Sequence, residues 1–256
     1  MAVLRGYFDD SGTHDETGQL PGSEVTGAAG YVATVPQWAK FDMEWRRALK
    51  AFEVPPEKFH AFDLQYKRGF FCDWCEERER EFVEKLSSII DCHTMFGVAG
   101  FVLAKDLAQM PQAFRDEIKH PFFIGVNSML HSFEKGPFVP ELRKRHVNFF
   151  FENMKPFFDE EVIKIFSHLR DLQMGHVLGQ ITMGGEKKNM LPLHAADLAA
   201  YHLRAEISRL QYKPDLTIRY AMDALQKKYR LWVTYSSLKE LRDLYFQLKI
   251  ERARLA

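Results

Sequence analysis

The chain has 256 residues, of which 46% are hydrophobic, 14% aromatic and 27% charged, and its formal net charge is zero. A chain of this length can bury a substantial core, either as one large domain or as one domain with a small elaboration. The aromatic content, with ordinary amounts of glycine and proline, excludes a disordered chain, a collagen-like repeat and a coiled-coil array. Composition therefore predicts an ordinary globular protein.

The N-terminus and the cysteine content bear on location. The first residues run directly into a strand-like segment, without the basic-then-apolar layout of a signal peptide. No apolar stretch reaches the roughly 18 residues that a membrane-spanning helix needs. Three cysteines cannot all pair with one another, which favours a reducing compartment. We therefore expect a cytoplasmic protein with no membrane partner.

The zero net charge conceals an asymmetry. Residues 200–256 contain 12 Lys or Arg and 6 Asp or Glu, so this last part of the chain is basic and the remainder is acidic. A basic segment can contact a polyanion such as nucleic acid. The alternative is a solvated helical face, which is the commoner reason for an excess of this size.

The first half of the chain alternates strand-like and helical segments. Strand composition or a short apolar run predicts strands at Leu4–Phe8, Val25–Thr34, Phe59–Phe62 and Met95–Leu103. The first two are expected to pair antiparallel, and a polar turn, Asp9-Asp10-Ser11-Gly12, follows the first. Apolar residues at helical spacing predict one helix opened by Pro36 and another over Glu76–Asp91.

The second half continues this alternation. Helical patterns cover the proline-interrupted segment 104–138, Asp159–Leu172 and Leu193–Leu210, and two more helices are expected to close the chain. Apolar runs predict strands at Val147–Phe151 and Val177–Met183. The predicted fold class is α/β, a mixed sheet flanked by helices, with additional C-terminal helices. We divide the chain into a core at 1–210 and a C-terminal helical extension at 211–256 that packs on the core.

Acidic residues follow two of the predicted strands, and another lies on a late helix. Asp9 follows the first strand, Glu152 follows the strand at 147–151, and Asp197 lies within Leu193–Leu210. Open α/β sheets place their chemistry at the carboxyl ends of strands. Carboxylates that converge there can bind Mg²⁺ or Mn²⁺, and such ions clamp the attacking and leaving oxygens of a phosphodiester. Spacing alone is not specific, because 35 acidic residues offer many such triples.

Three short motifs lie in order along the chain: Tyr7-Phe8-Asp9-Asp10-Ser11-Gly12, Phe59-His60-Ala61, and the segment from Leu193 to Tyr201 that contains His194 and Asp197. Together they resemble the domain of unknown function 3800 family, over roughly residues 3–210. The resemblance implies a ribonuclease H-like fold, in a superfamily that includes nucleases, resolvases and transposases. It also implies that Asp9, Glu152 and Asp197 bind the metal, with Glu152 placed by strand context and not by a motif.

Two positions depart from the family pattern. Asp10 stands where glutamate is usual, and His194 stands where glutamine is usual. Neighbouring residues of a strand point to opposite sides, so at most one of Asp9 and Asp10 is expected to face the metal. The resemblance implies that this residue is Asp9. His194 shares a helix face with Asp197. It would ligate the metal, hydrogen-bond a phosphate or orient Asp197, or it is a buried structural histidine.

The remaining candidates surround these acids. His60 is either a donor to the acid cluster or a core histidine. Ser11, in the turn after the first strand, is assigned to substrate binding. Lys187 and Lys188 precede the Asp197 helix in the loop Gly184–Asn189, where they either neutralise a phosphate or form solvated surface.

The sequence thus predicts a nuclease or phosphodiesterase that depends on Mg²⁺ or Mn²⁺ and acts on DNA or RNA. Its catalytic set is Asp9, Glu152, Asp197, His60 and His194, and its partner is a nucleic acid or a nucleotide substrate. The alternative is a non-catalytic nucleic-acid-binding or scaffold protein that retains the fold, which the neutral overall charge favours. A phosphohydrolase of small nucleotides is a third reading, because fold does not fix function.

Overall fold

The computed structural model describes residues 3–12, 22–118, 120–142, 145–154, 156–212, 231–237, 239 and 241–242. Its strands are β1 (Leu4–Ser11), β2 (Val25–Thr34), β3 (Phe96–Leu103), β4 (Val147–Glu152), β5 (Leu178–Gly185) and β6 (Leu231–Ser236). Its helices are α1 (Val35–Ala51), α2 (Ala61–Gln65), α3 (Glu76–His93), α4 (Ala104–Leu107), α5 (Gln112–Ile118), α6 (Pro121–Lys135), α7 (Val139–Leu142), α8 (Pro156–Leu169) and α9 (Pro192–Tyr212).

The six strands form one mixed sheet in the order β5-β4-β1-β2-β3-β6. β2 pairs antiparallel with both β1 and β3, whereas the other pairs in the sheet are parallel. The central strand β1 therefore lies between an antiparallel neighbour, β2, and a parallel neighbour, β4. The prediction of an α/β fold with a mixed sheet flanked by helices is confirmed.

Each face of the sheet buries its own core, because side chains alternate along the strands. On one face Tyr7 of β1 packs with residues of α1, α3 and α9, among them Trp45 and Phe82. On the other face Phe8 packs with residues of α6 and α8, among them Phe133 and Phe166.

Among the described residues, no helix has the length and apolar character needed to cross a membrane.

Helix α6 lies unusually close to the sheet, and glycines make this approach possible. A Cβ atom added to Gly100 of β3 would lie 2.1 Å from the carbonyl oxygen of Gly125 and 2.4 Å from the amide nitrogen of Met129, both main-chain atoms of α6. Neither atom can move aside as a flexible side chain would.

We expect Gly100→Ala to lower the free energy of unfolding by about 1–3 kcal/mol, the usual cost of overpacking. Urea unfolding measures this, and an unchanged midpoint would show that α6 can retreat without loss.

The segment Phe59–Phe62, predicted to be a strand, is not one. Phe59 leads into α2, and His60 is the N-cap, since its Nδ1 accepts a hydrogen bond from the amide of Phe62 at 3.3 Å. A four-residue apolar run does not distinguish a strand from the start of a helix. The segment begins a helix because the side chain of His60 caps its first turn.

The C-terminal part of the chain also differs from its prediction. Leu231–Ser236, expected to lie in a helical extension, forms β6 and pairs parallel with β3. Its apolar, aromatic and β-branched residues suit a strand, and pairing with the edge strand β3 gives the segment that conformation. Residues 213–230, which contain Lys227, Lys228 and Arg230, lie outside the described residues. The domain boundary at residue 210 stays a prediction.

Candidate active site

The pairing of β1 with β4 brings two of the predicted acids together. These parallel neighbours are in register at Phe8 and Phe151, so Asp9 and Glu152 come next on the two strands. One step earlier, the rings of Tyr7 and Phe150 stack at 5.0 Å on the face that α1 and α9 cover. Because side chains alternate, Asp9 and Glu152 project to this same face. Asp9 is buried, and the side chain of Glu152 is about a quarter exposed.

Helix α9 supplies the third acid from above the sheet. It packs against β1 and β2, and its first three turns are buried almost all round. Asp197, which is 4% exposed, accepts a hydrogen bond through Oδ2 from the amide of Ala61 at 2.8 Å. This amide lies in the first turn of α2, where an amide has no partner within the helix. Asp197 therefore fixes the start of α2 against α9.

Lys187 lies at the centre of these three acids. Its Nζ is 2.8 Å from Oδ2 of Asp9, 2.8 Å from Oε2 of Glu152 and 3.4 Å from Oδ1 of Asp197. The side chain is only 13% exposed. The sequence predicted the convergence of the acids but assigned Lys187 either to a phosphate or to the solvated surface. The structure brings Asp9, Glu152 and Asp197 together around the lysine ammonium.

The cluster has a characteristic electrostatic pattern. Burial raises the pKa of Asp9 well above its usual value; Lys187 opposes this, while Asp197 and a hydrogen bond shared with Glu152 reinforce it. Burial alone would raise the pKa of Asp197 as well, but Lys187 and the Ala61 amide outweigh it, and its pKa is lowered. Burial disfavours the ammonium of Lys187, yet the three carboxylates overcome this and raise its pKa well above the usual range. Asp197 and Lys187 are therefore an ion pair at neutral pH.

His60 stands at the rim of the cluster. Its side chain is 52% exposed, and its Nδ1 lies 4.0 Å from Oδ2 of Asp197. It is therefore not a core histidine. Its Nδ1 already accepts the hydrogen bond from the Phe62 amide, so its position beside Asp197 leaves the exposed part of the ring to meet a ligand that approaches from solvent.

His194 lies below the cluster and not in it. It is fully buried, its ring stacks on Phe59 at 4.7 Å, and its Nδ1 accepts a hydrogen bond from Nε1 of Trp45 at 3.1 Å. Burial lowers its pKa to about 3. These contacts favour the structural reading, in which His194 is a buried core histidine that Trp45 and Phe59 hold in place.

Two further predicted residues lie outside the cluster. Oγ of Ser11, at the end of β1, accepts a hydrogen bond from Nε of Arg204 at 3.1 Å. The side chain of Lys188 is 56% exposed and pairs with Glu186 at 3.1 Å, as solvated surface does. The two lysines of the loop therefore have different surroundings, which adjacent positions in a sequence cannot distinguish.

Sequence reasoning missed three contributors to the site. Trp45 holds His194, the Ala61 amide holds Asp197, and Arg204 holds Ser11. For Ala61 the His-Ala motif gave a signal, since it marks the segment that meets Asp197. Trp45 and Arg204 carry no local pattern, because each reaches its partner from a distant part of the chain.

The donor set suits a hard cation. Among the described residues, no three His, Cys, Asp or Glu side chains stand in the geometry of a bound metal ion. The fit to an ion is therefore judged from chemistry: carboxylate oxygens are the preferred ligands of Mg²⁺ and Mn²⁺, and here oxygens of three acids already surround one positive charge.

Comparison of the sequence with models of protein families and with curated proteins finds no match.

Proposed function

We propose that this protein is a nuclease or phosphodiesterase of ribonuclease H-like fold that uses Mg²⁺ or Mn²⁺. One observation carries the proposal: Asp9, Glu152 and Asp197 converge on one buried cation position beside the carboxyl ends of β1 and β4. Chemistry in α/β sheets concentrates at such strand ends. The mixed sheet, whose first strand has one antiparallel and one parallel neighbour, agrees with the fold that the sequence resemblance implies.

The residues divide the work between the sheet and the helices. Asp9 and Glu152 offer carboxylates from two hydrogen-bonded strands, and Asp197 is oriented by its hydrogen bond from the Ala61 amide. A divalent ion bound by them would supply the positive charge that positions a phosphodiester and activates water. His60, half-exposed at 4.0 Å from Asp197, is placed to orient the attacking water or a phosphate oxygen.

The rim next to the cluster supports nucleic acid as the substrate. Tyr66, just after α2, is 48% exposed, and the guanidinium of Arg68 lies 5.0 Å above the ring of Phe62 and 5.6 Å above that of Tyr66. Aromatic rings and arginine planes are the groups on which unpaired bases stack. α2 begins at the amide that Asp197 holds, so this rim has a fixed position relative to the acids. A single-stranded or locally opened substrate fits this arrangement.

One observation favours the non-catalytic alternative. The ammonium of Lys187 already balances part of the charge of the carboxylates, so the folded chain does not require a metal ion. A scaffold or nucleic-acid-binding protein could keep the fold in this form. Binding without cleavage would be its signature.

The function is tested with a panel of labelled single-stranded, duplex and branched DNA and RNA. We expect the purified protein to cleave at least one of these with Mn²⁺ or Mg²⁺, and not with chelator, because only the ion supplies the Lewis acid. Binding is measured on the same panel by fluorescence anisotropy. Retention of a substrate with no metal-dependent cleavage would contradict the enzyme proposal and support the scaffold.

A further inference from the structure

Lys187 occupies a position from which its ammonium contacts all three carboxylates. Its Nζ contacts the inward oxygens, Oδ2 of Asp9, Oε2 of Glu152 and Oδ1 of Asp197, within 2.8–3.4 Å. A cation bound jointly by these acids would need the same oxygens. Two positive charges cannot share such a space, because repulsion between them is strong at short distance.

The outward oxygens of the two buried aspartates are already engaged. Oδ1 of Asp9 accepts a hydrogen bond from the Asp10 amide at 3.0 Å, and Oδ2 of Asp197 accepts one from the Ala61 amide at 2.8 Å. Both donors are main-chain groups that the strand and the helix fix in place. Both oxygens of each aspartate therefore already have a partner, and an ion that binds Asp9 and Asp197 jointly competes with Lys187 for the oxygens that face the centre of the cluster.

The lysine can leave without a change in the backbone. The ends of its loop are anchored, since the carbonyl of Gly185 accepts from the Asn153 amide and the carbonyl of Glu186 accepts from the amides of Asn189 and Met190. The ammonium stands on a flexible four-carbon stem that can turn toward solvent. Rotation of the side chain alone would open the cation position.

We propose that Lys187 is a tethered cation that competes with the divalent ion for this position, so that an ion binds only when the ammonium has swung out. The inference rests on the proposed function, because it takes the carboxylates as the ion's ligands. It assigns to Lys187 the control of ion affinity, where the sequence predicts either a phosphate contact or solvated surface. If the lysine occupies the position nine-tenths of the time, the apparent dissociation constant for the ion is about tenfold weaker than the intrinsic one.

The test measures Mn²⁺ binding by calorimetry to the parent chain, to Lys187→Met and to Lys188→Met. Methionine keeps most of the length of the side chain and removes the charge. We expect Lys187→Met to bind Mn²⁺ at least about tenfold more tightly than the parent. Lys188→Met is the matched control, since this neighbour in the same loop is exposed and pairs with Glu186, and its affinity should equal that of the parent.

A second measurement does not depend on the folding of a variant. Acetic anhydride acylates free amines, and mass spectrometry locates the modified lysines in the parent chain. Saturating Mg²⁺ is expected to increase acylation of Lys187 severalfold over the chelator arm, because the ammonium would leave its three carboxylates. Lys188 should react equally in both arms.

The outcomes separate this inference from the proposed function. Equal Mn²⁺ affinity in parent and Lys187→Met, with Lys187 acylation unchanged by Mg²⁺, would overturn the competition and leave the metal site standing. Binding to Lys187→Met but not to the parent would support the competition and count against a metal-dependent parent enzyme. Absence of binding in both, with unchanged acylation, would overturn both proposals.

Discussion

Replacing Asp197 with asparagine is expected to lower metal-dependent cleavage by about a hundredfold or more, because a bound ion supplies several kcal/mol of transition-state stabilisation. The amide can keep its carbonyl oxygen toward the Ala61 amide, which Asp197 now satisfies at 2.8 Å. Its NH₂ group would then face Lys187, so the charge is lost while the start of α2 is retained. Cleavage rates with Mn²⁺ and circular dichroism of the same sample separate a lost site from a lost fold.

Asp10→Asn is the matched control for this change. Asp10 is adjacent to Asp9 on β1, it is partly exposed, and alternation turns its side chain away from the cluster. It carries the same formal change in charge and is expected to leave cleavage at the parental rate. Equal activity in Asp197→Asn and the parent would show that the observed nuclease is a contaminant or that the site lies elsewhere.

The fold was predictable where local pattern and burial agree. β2 is rich in Gly, Ala, Val and Tyr, β3 is a continuous apolar run, and α1 has a proline in its first turn and apolar residues at helical spacing, so the sequence alone located them. β1 was predicted to end at Phe8 but continues to Ser11, because the backbone of β2 pairs with the polar turn residues as well. The polar composition of Asp9, Asp10 and Ser11 predicts a turn, but these residues extend the strand because they pair with β2.

The acids of the site were predictable for a related reason. The sequence placed Asp9 and Glu152 just past two strands, and the carboxyl ends of parallel strands meet at the same edge of a sheet. Composition and spacing could not show that Lys187 fills the space between the acids. Lys187 reaches the acids from the loop between β5 and α9, a contact that depends on tertiary packing and leaves no local pattern in the sequence.

The sequence motifs also could not show which of His60 and His194 is exposed. The motif flagged both, but exposure separates them: His60 stands at the rim, and His194 is enclosed by Trp45 and Phe59. The motif marks a place in the fold, whereas burial determines whether a histidine can meet a ligand. We therefore expect His194 to affect the stability of the fold and not the reaction at the acid cluster.

The burial of His194 should make the protein sensitive to acid. Nδ1 accepts the Trp45 Nε1–H, so the folded ring is neutral and carries its proton on Nε2. Burial lowers its pKa to about 3, whereas an unfolded histidine has a pKa of about 6.5. Below about pH 6.5 the unfolded chain therefore binds a proton that the folded chain excludes, and stability falls as the pH falls. The loss from pH 7 to pH 5 should be about 2 kcal/mol.

His194→Gln tests this, because glutamine offers an amide oxygen to Trp45 and does not titrate. We expect its free energy of unfolding, from urea titrations followed by tryptophan fluorescence, to fall less between pH 7 and pH 5 than that of the parent, by about 2 kcal/mol. The raised pKa of Asp9 acts in the opposite sense, since its stabilisation is lost as the pH rises, but it is present in both proteins and cancels in the comparison. His176→Gln replaces an exposed histidine and should keep the parental slope. Parallel slopes for His194→Gln and the parent would mean that the folded state accepts the proton on His194, which would require Trp45 to release Nδ1.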